Sequence, residues 1–371
     1  MPAIAEKPTL TQAPPAPPTR EGRARVLLLV LAVALAAAVL LGAGAGALHV
    51  PVSAVLGVLL HKLGLGTSLS FEPQQEAVIW AIRLPRVLLA VLVGAALGLS
   101  GAAMQGLFRN PLADPSLLGI SAGASLAAVA VIVLEEKVLH LVSALPGTGG
   151  ASAYVLPLAA FIGACAATVF VYRVSRTGGR VLVSTMLLVG VATNGLAGAI
   201  TGLFTYAATD AQLRSITFWG LGSLGGATWP TLTTLLPFLA LPLLLLPRLG
   251  KPLNLLALGE DQAAHLGLPV ARVKWQVIGL TTLAVGASVA MVGTIGFLGF
   301  LVPHVLRRLA GPDHRFILPG SALGGALVLL LADTLARTAV APAELPIGIL
   351  TALLGAPVFL WIVLREQRQP S

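Results

Sequence analysis

One cysteine, Cys165, stands in the whole of this 371-residue chain, and it lies in an apolar run. Neither a disulfide framework nor a thiolate metal cluster can be built from it, so its expected role is packing. Charge is equally scarce, since only 10% of the residues are Asp, Glu, Lys or Arg. That leaves too little polar surface to cover a soluble globule of this length. The sequence also lacks a glycine-rich loop ending in Lys-Ser or Lys-Thr, and it shows no nucleophile with a nearby base. A chain without either has no familiar way to bind and cleave ATP itself, and it is not read as an enzyme. His304 and His314 are ten residues apart, without the close pairing of a zinc helix, and His61 and His140 fall in predicted loops. No metal site is expected.

What is abundant is apolar: 57% of the residues are hydrophobic and the mean hydropathy is +0.93. The bilayer is then the solvent. Stretches of roughly 18 to 25 apolar residues can each cross a ~30 Å hydrocarbon core as a helix. They occur at 25–48, 87–107, 116–134, 152–172, 182–207, 229–247, 275–296, 298–310, 317–336 and 346–364, the eighth of them short and glycine-broken. The expectation is an all-α, polytopic transmembrane bundle of about ten helices occupying residues 25–365. Residues 1–24, with the Pro-rich APPAPPTR and no cleavable site, read as a disordered tail, and 366–371 as a second short tail.

The net charge of +9 comes from basic residues at helix ends, not from a contiguous patch interleaved with aromatics. It speaks for orientation and against a nucleic-acid partner. With the N-terminus inside, Lys62, Arg83, Arg86, Lys137, Arg214 and Arg337 fall outside. The larger set, including Arg23, Arg109, Arg176, Arg248, Arg272, Arg307 and Arg365, falls inside. Both termini are therefore expected in the cytoplasm, as an even number of spans requires.

Val93, Gly94, Ala95, Gly101 and Phe108 recur as Val285, Gly286, Ala287, Gly293 and Phe300, an offset of 192 residues. An odd number of spans separates the copies, which would make the second antiparallel to the first, an inverted repeat of the kind transporters use. Glycines at helical spacing, such as Gly94, Gly98 and Gly101, let backbones approach closely in lipid. The longest internal polar stretch is 248–274. Asn254 and Leu255 open a short helical run that Gly259 ends. Glu260 and Asp261 suit the first turn of a second, which Gly267 and Pro269 stop. Two short helices on the membrane face would offer a docking surface to a cytoplasmic partner; an ordinary solvated loop is the other reading.

Five segments carry a resemblance. QGLFRNPLADPSLLGISAGAS (105–125), FWGLGSLGGATW (218–229), LGEDQAAHLG (258–267), GFLGFLVPHVLRRLAGPDHR (296–315) and ELPIGILTALLGAPVFLWIVLR (344–365) resemble the FecCD-type permeases. These are the membrane subunits of ABC importers for ferric siderophores, haem and vitamin B12. The resemblance implies a bacterial inner-membrane subunit that pairs with a second copy of itself. Two cytoplasmic ATPase subunits would bring ATP and Mg, and a periplasmic binding protein would deliver cargo. It makes 254–268 the coupling helices, with Asn254, Leu255, Leu258, Glu260, Asp261, His265 and Leu266 at the ATPase and Gly259 and Gly267 setting the turns. Arg83, Arg86 and Arg337 match arginines that meet acidic residues of the binding protein, although arginines at helix ends also serve as interfacial anchors. Asp333, four residues before Arg337, could instead hold that arginine in position.

The wording RNPLADPSLLGISAGAS is closer to haem permeases than to the vitamin B12 branch, where Glu tends to stand at the positions of Arg109 and Asp114. Haem is therefore the expected cargo, moved by alternating access, ahead of a ferric siderophore and cobalamin. Met104, Gln105, Phe108, Ser121 and Ser125 are candidate pathway liners, with packing as the alternative for each. An ion-driven secondary transporter would also show inverted repeats. It would usually place a carboxylate or a broken helix at mid-membrane, whereas Asp333 and Glu344, the acids near the late spans, are predicted at the outer face.

Overall fold

A computed structural model describes residues 20–46, 48–66, 68–138, 152–177, 180–340 and 343–367. Most of the predicted N-terminal tail, residues 368–371 of the C-terminal one, and His140 lie outside the described residues.

Fifteen α-helices have both their ends among the described residues. They are α1 (Arg20–Gly44), α2 (Val52–Lys62), α3 (Pro73–Val78), α4 (Leu84–Phe108), α5 (Ile120–Val133), α6 (Ser152–Val174), α7 (Val183–Tyr206) and α8 (Asp210–Leu221). They continue as α9 (Trp229–Leu245), α10 (Gly250–Ala257), α11 (Glu260–His265), α12 (Val270–Val292), α13 (Leu298–Ala310), α14 (His314–Thr338) and α15 (Ile347–Gln367). A two-stranded antiparallel hairpin, Arg176–Thr177 with Arg180–Val181, joins α6 to α7. Among the described residues, seven helical stretches are long and apolar enough to cross a membrane. Helices α5, α13 and α15 fall where the remaining three spans were expected.

Two differences from the sequence reading stand out. The second span was expected at 87–107, but the helical path starts at Pro73 and passes through a π turn, Ile79–Arg83, before α4. The wider turn absorbs the register change ahead of Pro85, which cannot donate a backbone hydrogen bond. The helices α2 and α8 were not expected at all. The latter is opened by Thr209 and Gln212, which form a reciprocal capping box.

The core is built on α4. The most apolar window of the span containing it is 83% buried, against 11% for α7. Small residues make this possible: a Cβ on Gly94 would land on the Gly325 carbonyl, one on Gly98 on that of Ser321, and one on Gly101 on that of Gly299. Glycine thus lets α14 and the start of α13 lie backbone to backbone against α4. Arg86 near the start of α4 meets Asp333 near the end of α14, so the two helices are antiparallel. The start of α12 meets α11 through Lys274 and Glu260, so α12 runs opposite to α4, whereas α13, which carries Phe300 of the 192-residue offset, runs in the direction of α4 from Gly299 beside Gly101 to Arg307 beside Gln105. The start of α1, the start of α14 and the pair α10–α11 share one end, hereafter the basic end.

Candidate functional site

At the basic end, α10 and α11 form two short helices in the loop where a docking surface was expected. Helix α10 begins at Gly250, one turn earlier than the Asn254 start read from sequence. Gly259 (φ +118°) and Gly267 (φ +85°) hold backbone angles that a side chain would strain. The pair is clipped to the bundle from beneath by Leu253, Leu256 and Ala263, all buried. Above, Leu258 and Leu266 are 57% and 63% exposed, and Asp261, Gln262 and His265 are exposed beside them. His265 Nδ1 lies 2.7 Å from the Asp261 carbonyl and can donate to it, closing the turn. Apolar side chains standing free on a polar loop make a rim suited to a protein partner.

Two of the expected contact residues have other engagements. Asn254 Nδ2 donates to Asp313 Oδ1 at 2.7 Å, while its Oδ1 accepts from the His314 backbone N–H at 2.9 Å. That side chain anchors α10 to the start of α14. Burial works to raise the Asp313 pKa, but hydrogen bonds from Arg315 and Asn254 outweigh it and hold the group down to about 2. The carboxylate is thus a fixed negative charge at this joint. Glu260 turns inward onto Lys274 at 2.6 Å, so Asp261 is the acid that the surface presents.

At the opposite end, Arg83, Arg86 and Arg337 are each at least nine-tenths buried. Arg83 donates to the carbonyls of Ala43, Gly44 and Leu48. Arg86 is held between two carboxylates, Asp333 at 2.9 Å and Glu344 at 2.8 Å. Arg337 meets Asp333 at 3.1 Å, the pairing its spacing allows, and donates to the Gly42 and Ala45 carbonyls. These guanidinium groups join α1, α4 and α14 inside the subunit, and Arg337 takes the Asp333 pairing that was the alternative to docking. The exposed charge of the cluster is Glu344, whose side chain is 47% accessible. It was legible only as a late-span acid at the outer face.

Between the two ends lies a cavity of about 440 Å³ lined by Leu97, Asp114, Ser121, Thr294, Phe297, Phe300 and Phe359, among others. Phe297 sits at φ +67°, a left-handed angle rare for a bulky side chain, which costs on the order of 1–3 kcal/mol and persists only where surroundings enforce it. Gly355 provides the space, since a Cβ there would strike the Phe297 side chain. Phe300 and Phe359 meet edge to face with centroids 4.7 Å apart, seating α15 on α13. A second cavity of about 780 Å³ opens at the basic end beside Gln105, Arg109, Asn254, Arg307 and His314.

Of the expected pathway liners, Ser121 lines the first cavity and Gln105 the second. Gln105 is fixed there, donating to the Phe300 carbonyl and accepting from Arg307. Met104 and Phe108 pack in the subunit interior, and for them the lining role is corrected, because α4 buries nearly its whole circumference. Ser125 is half-buried on α5. Sequence reasoning did not offer Phe297, Phe300 or Phe359 as lining residues, although the glycine-flanked GFLGF run could have pointed to the first two.

The sequence pattern of the FecCD transport family matches residues 28–365. The hemin transport system permease protein of Yersinia pestis is 50% identical over 79% of this chain and 85% of its own length. An uncharacterised ABC transporter permease of Bacillus subtilis is 46% identical over 87% of the chain and 88% of its own. The vitamin B12 import system permease protein of Escherichia coli is 43% identical over 80% of the chain and 87% of its own. Among solved structures, a metal-chelate type ABC transporter in an inward-facing conformation superposes with a TM-score of 0.78 at 32% identity, covering 92% of this chain and 99% of that one.

Proposed function

The chain belongs to the FecCD transport family of multi-pass ABC permeases, and from that premise we propose that it carries haem inward as one half of a homodimeric, ATP-driven importer. The single observation that supports haem over cobalamin is the identity of 50% with a hemin permease against 43% with a vitamin B12 permease. The phenyl faces of Phe297, Phe300 and Phe359 around the central cavity are compatible with a flat, apolar macrocycle. A ferric siderophore or cobalamin is the alternative cargo.

In this reading the basic end faces the cytoplasm and the rim of Leu258, Asp261, His265 and Leu266 seats an ATPase subunit. That subunit binds ATP and Mg, while this chain supplies the moving wall. Movement is alternating access: the two copies rock so that the space between them opens to one side and then the other. A second copy is supported by α7, where Gly195, Gly198 and Gly202 are exposed and have nothing among the described residues within 4 Å of a would-be Cβ. Small residues spaced in this way are what close helix pairing in lipid requires. The binding protein docks at the opposite end. Its contact there is with the rim around Arg86 and Glu344, since the Arg86 side chain is only 10% accessible.

Proteoliposomes carrying this chain, its ATPase and its binding protein test the proposal. With ATP available to the ATPase, haem should accumulate while a ferric siderophore and cobalamin do not. Uptake of either of those with haem excluded overturns the cargo. Uptake that persists with an ATPase subunit unable to hydrolyse ATP overturns the drive.

A further inference from the structure

Lys274 is one of the few charged side chains of the protein buried almost completely, at 4% exposure. It sits near the start of α12, and its Nζ donates to the Val181 carbonyl at 2.8 Å and to Glu260 Oε2 at 2.6 Å. The two acceptors belong to different segments of the chain. Glu260 opens α11, the second helix of the docking surface. Val181 ends the hairpin between α6 and α7, and α7 begins two residues later. The hairpin is itself fastened to α6, with the Leu182 N–H donating to the Ser175 carbonyl and the fully buried Ser175 hydroxyl donating to the Val171 carbonyl.

A buried ammonium is stable only while its hydrogen bonds are kept. If α11 is displaced, Glu260 draws Lys274 with it, and Lys274 cannot follow without drawing on the Val181 carbonyl. The helix at the far side of that contact, α7, is the least packed within its own subunit among the described long spans, at 11%, and in the importer reading its bare face meets the second copy, so a displacement of α7 reaches the wall between the copies. We infer that Lys274 is the positioning residue that transmits displacement of α11 to the start of α7. The inference rests on the importer reading above and adds to it the route by which the ATPase reaches the translocation wall.

Three variants test this: Lys274→Met, Lys274→Arg and Glu260→Gln, each reconstituted with the ATPase and binding protein. Lys274→Met should co-purify with the ATPase and hydrolyse ATP as the parent does, while cargo imported per ATP falls about tenfold, the order of a lost coupling interaction. Lys274→Arg should recover part of that ratio, because it keeps the charge and the donors. Unchanged import per ATP in both Lys274→Met and Glu260→Gln overturns the inference. So does loss of ATPase binding in parallel with import, which would make Lys274 a mere support of the docking surface.

Should Lys274→Met fail to fold, Glu260→Gln decides, since Glu260 is 35% accessible and glutamine keeps its shape. Hydrogen exchange reads the link without transport: Glu260→Gln should speed exchange at both 260–265 and 180–186. Faster exchange at 260–265 alone, or at neither segment, sinks the link. A parent chain that imports no cargo with a competent ATPase would instead overturn the importer reading, and the exchange result would still judge the link.

Discussion

At the residue scale the decisive groups are polar side chains that fasten one helix to another. Asn254 joins α10 to Asp313 and His314 across 59 and 60 positions of sequence. Asn254→Ala should lower stability by about 1–3 kcal/mol through the stranded donors and acceptors, seen as a reduced melting temperature in detergent. Asp313 has a folded pKa of about 2 against an ordinary 3.8. A depressed carboxylate stabilises the fold above its unfolded pKa, and the contribution is lost as pH falls through the folded one. Stability from this joint should therefore be constant between about pH 5 and 8 and fall only below pH 4 toward 2, measured by melting across that range. Arg86→Ala strands Asp333, which is 0% exposed and keeps only Arg337. The loss should be on the order of 3 kcal/mol, whereas an arginine serving only to dock an outside partner would leave the melting temperature unchanged. The pairing of Asp333 with Arg337 was visible in sequence, because one helical turn sets it. The bond of Arg86 to Glu344 spans 258 positions, and no local rule reaches that far.

At the scale of elements, glycine positions divide into those that turn the chain and those that let helices touch. Gly259 holds φ +118° between α10 and α11, an angle that costs other residues on the order of 1–3 kcal/mol. Gly259→Ala should disturb the docking pair more than the bundle, giving weaker retention of the ATPase subunit in pull-down with little change in melting. Gly101→Leu should do the opposite. Its side chain would have to enter the Gly299 backbone, and overpacking at so close a contact costs at least about 1–3 kcal/mol. The expected outcome is poor yield of folded protein by gel filtration. Both roles were foreshadowed by the sequence, the turn by Gly259 preceding Glu260 and Asp261, the packing by the spacing of Gly94, Gly98 and Gly101. The helices α2 and α8 were not, since short helices between spans lack the long apolar run by which a span announces itself.

At the scale of the whole molecule the distribution of burial is uneven, with α4 enclosed and α7 largely bare. Gly198→Leu on the open face of α7 should leave the single subunit folded and reduce the dimer fraction in native mass spectrometry. A dimer that persists unchanged places the pairing face elsewhere. Composition and hydropathy determined by themselves that this is a membrane bundle of about ten helices, because the bilayer demands long apolar helices and leaves few alternatives. The motifs likewise located the pair of short helices α10 and α11, since the glycines and acids that bound them act over a turn or two. Tertiary structure alone decided that the arginines are internal, that Met104 and Phe108 are packing, that three phenylalanines line one cavity, and that Lys274 meets two segments at once. Each of those depends on which helix faces which, and side chains far apart in sequence acquire their partners only when the helices pack.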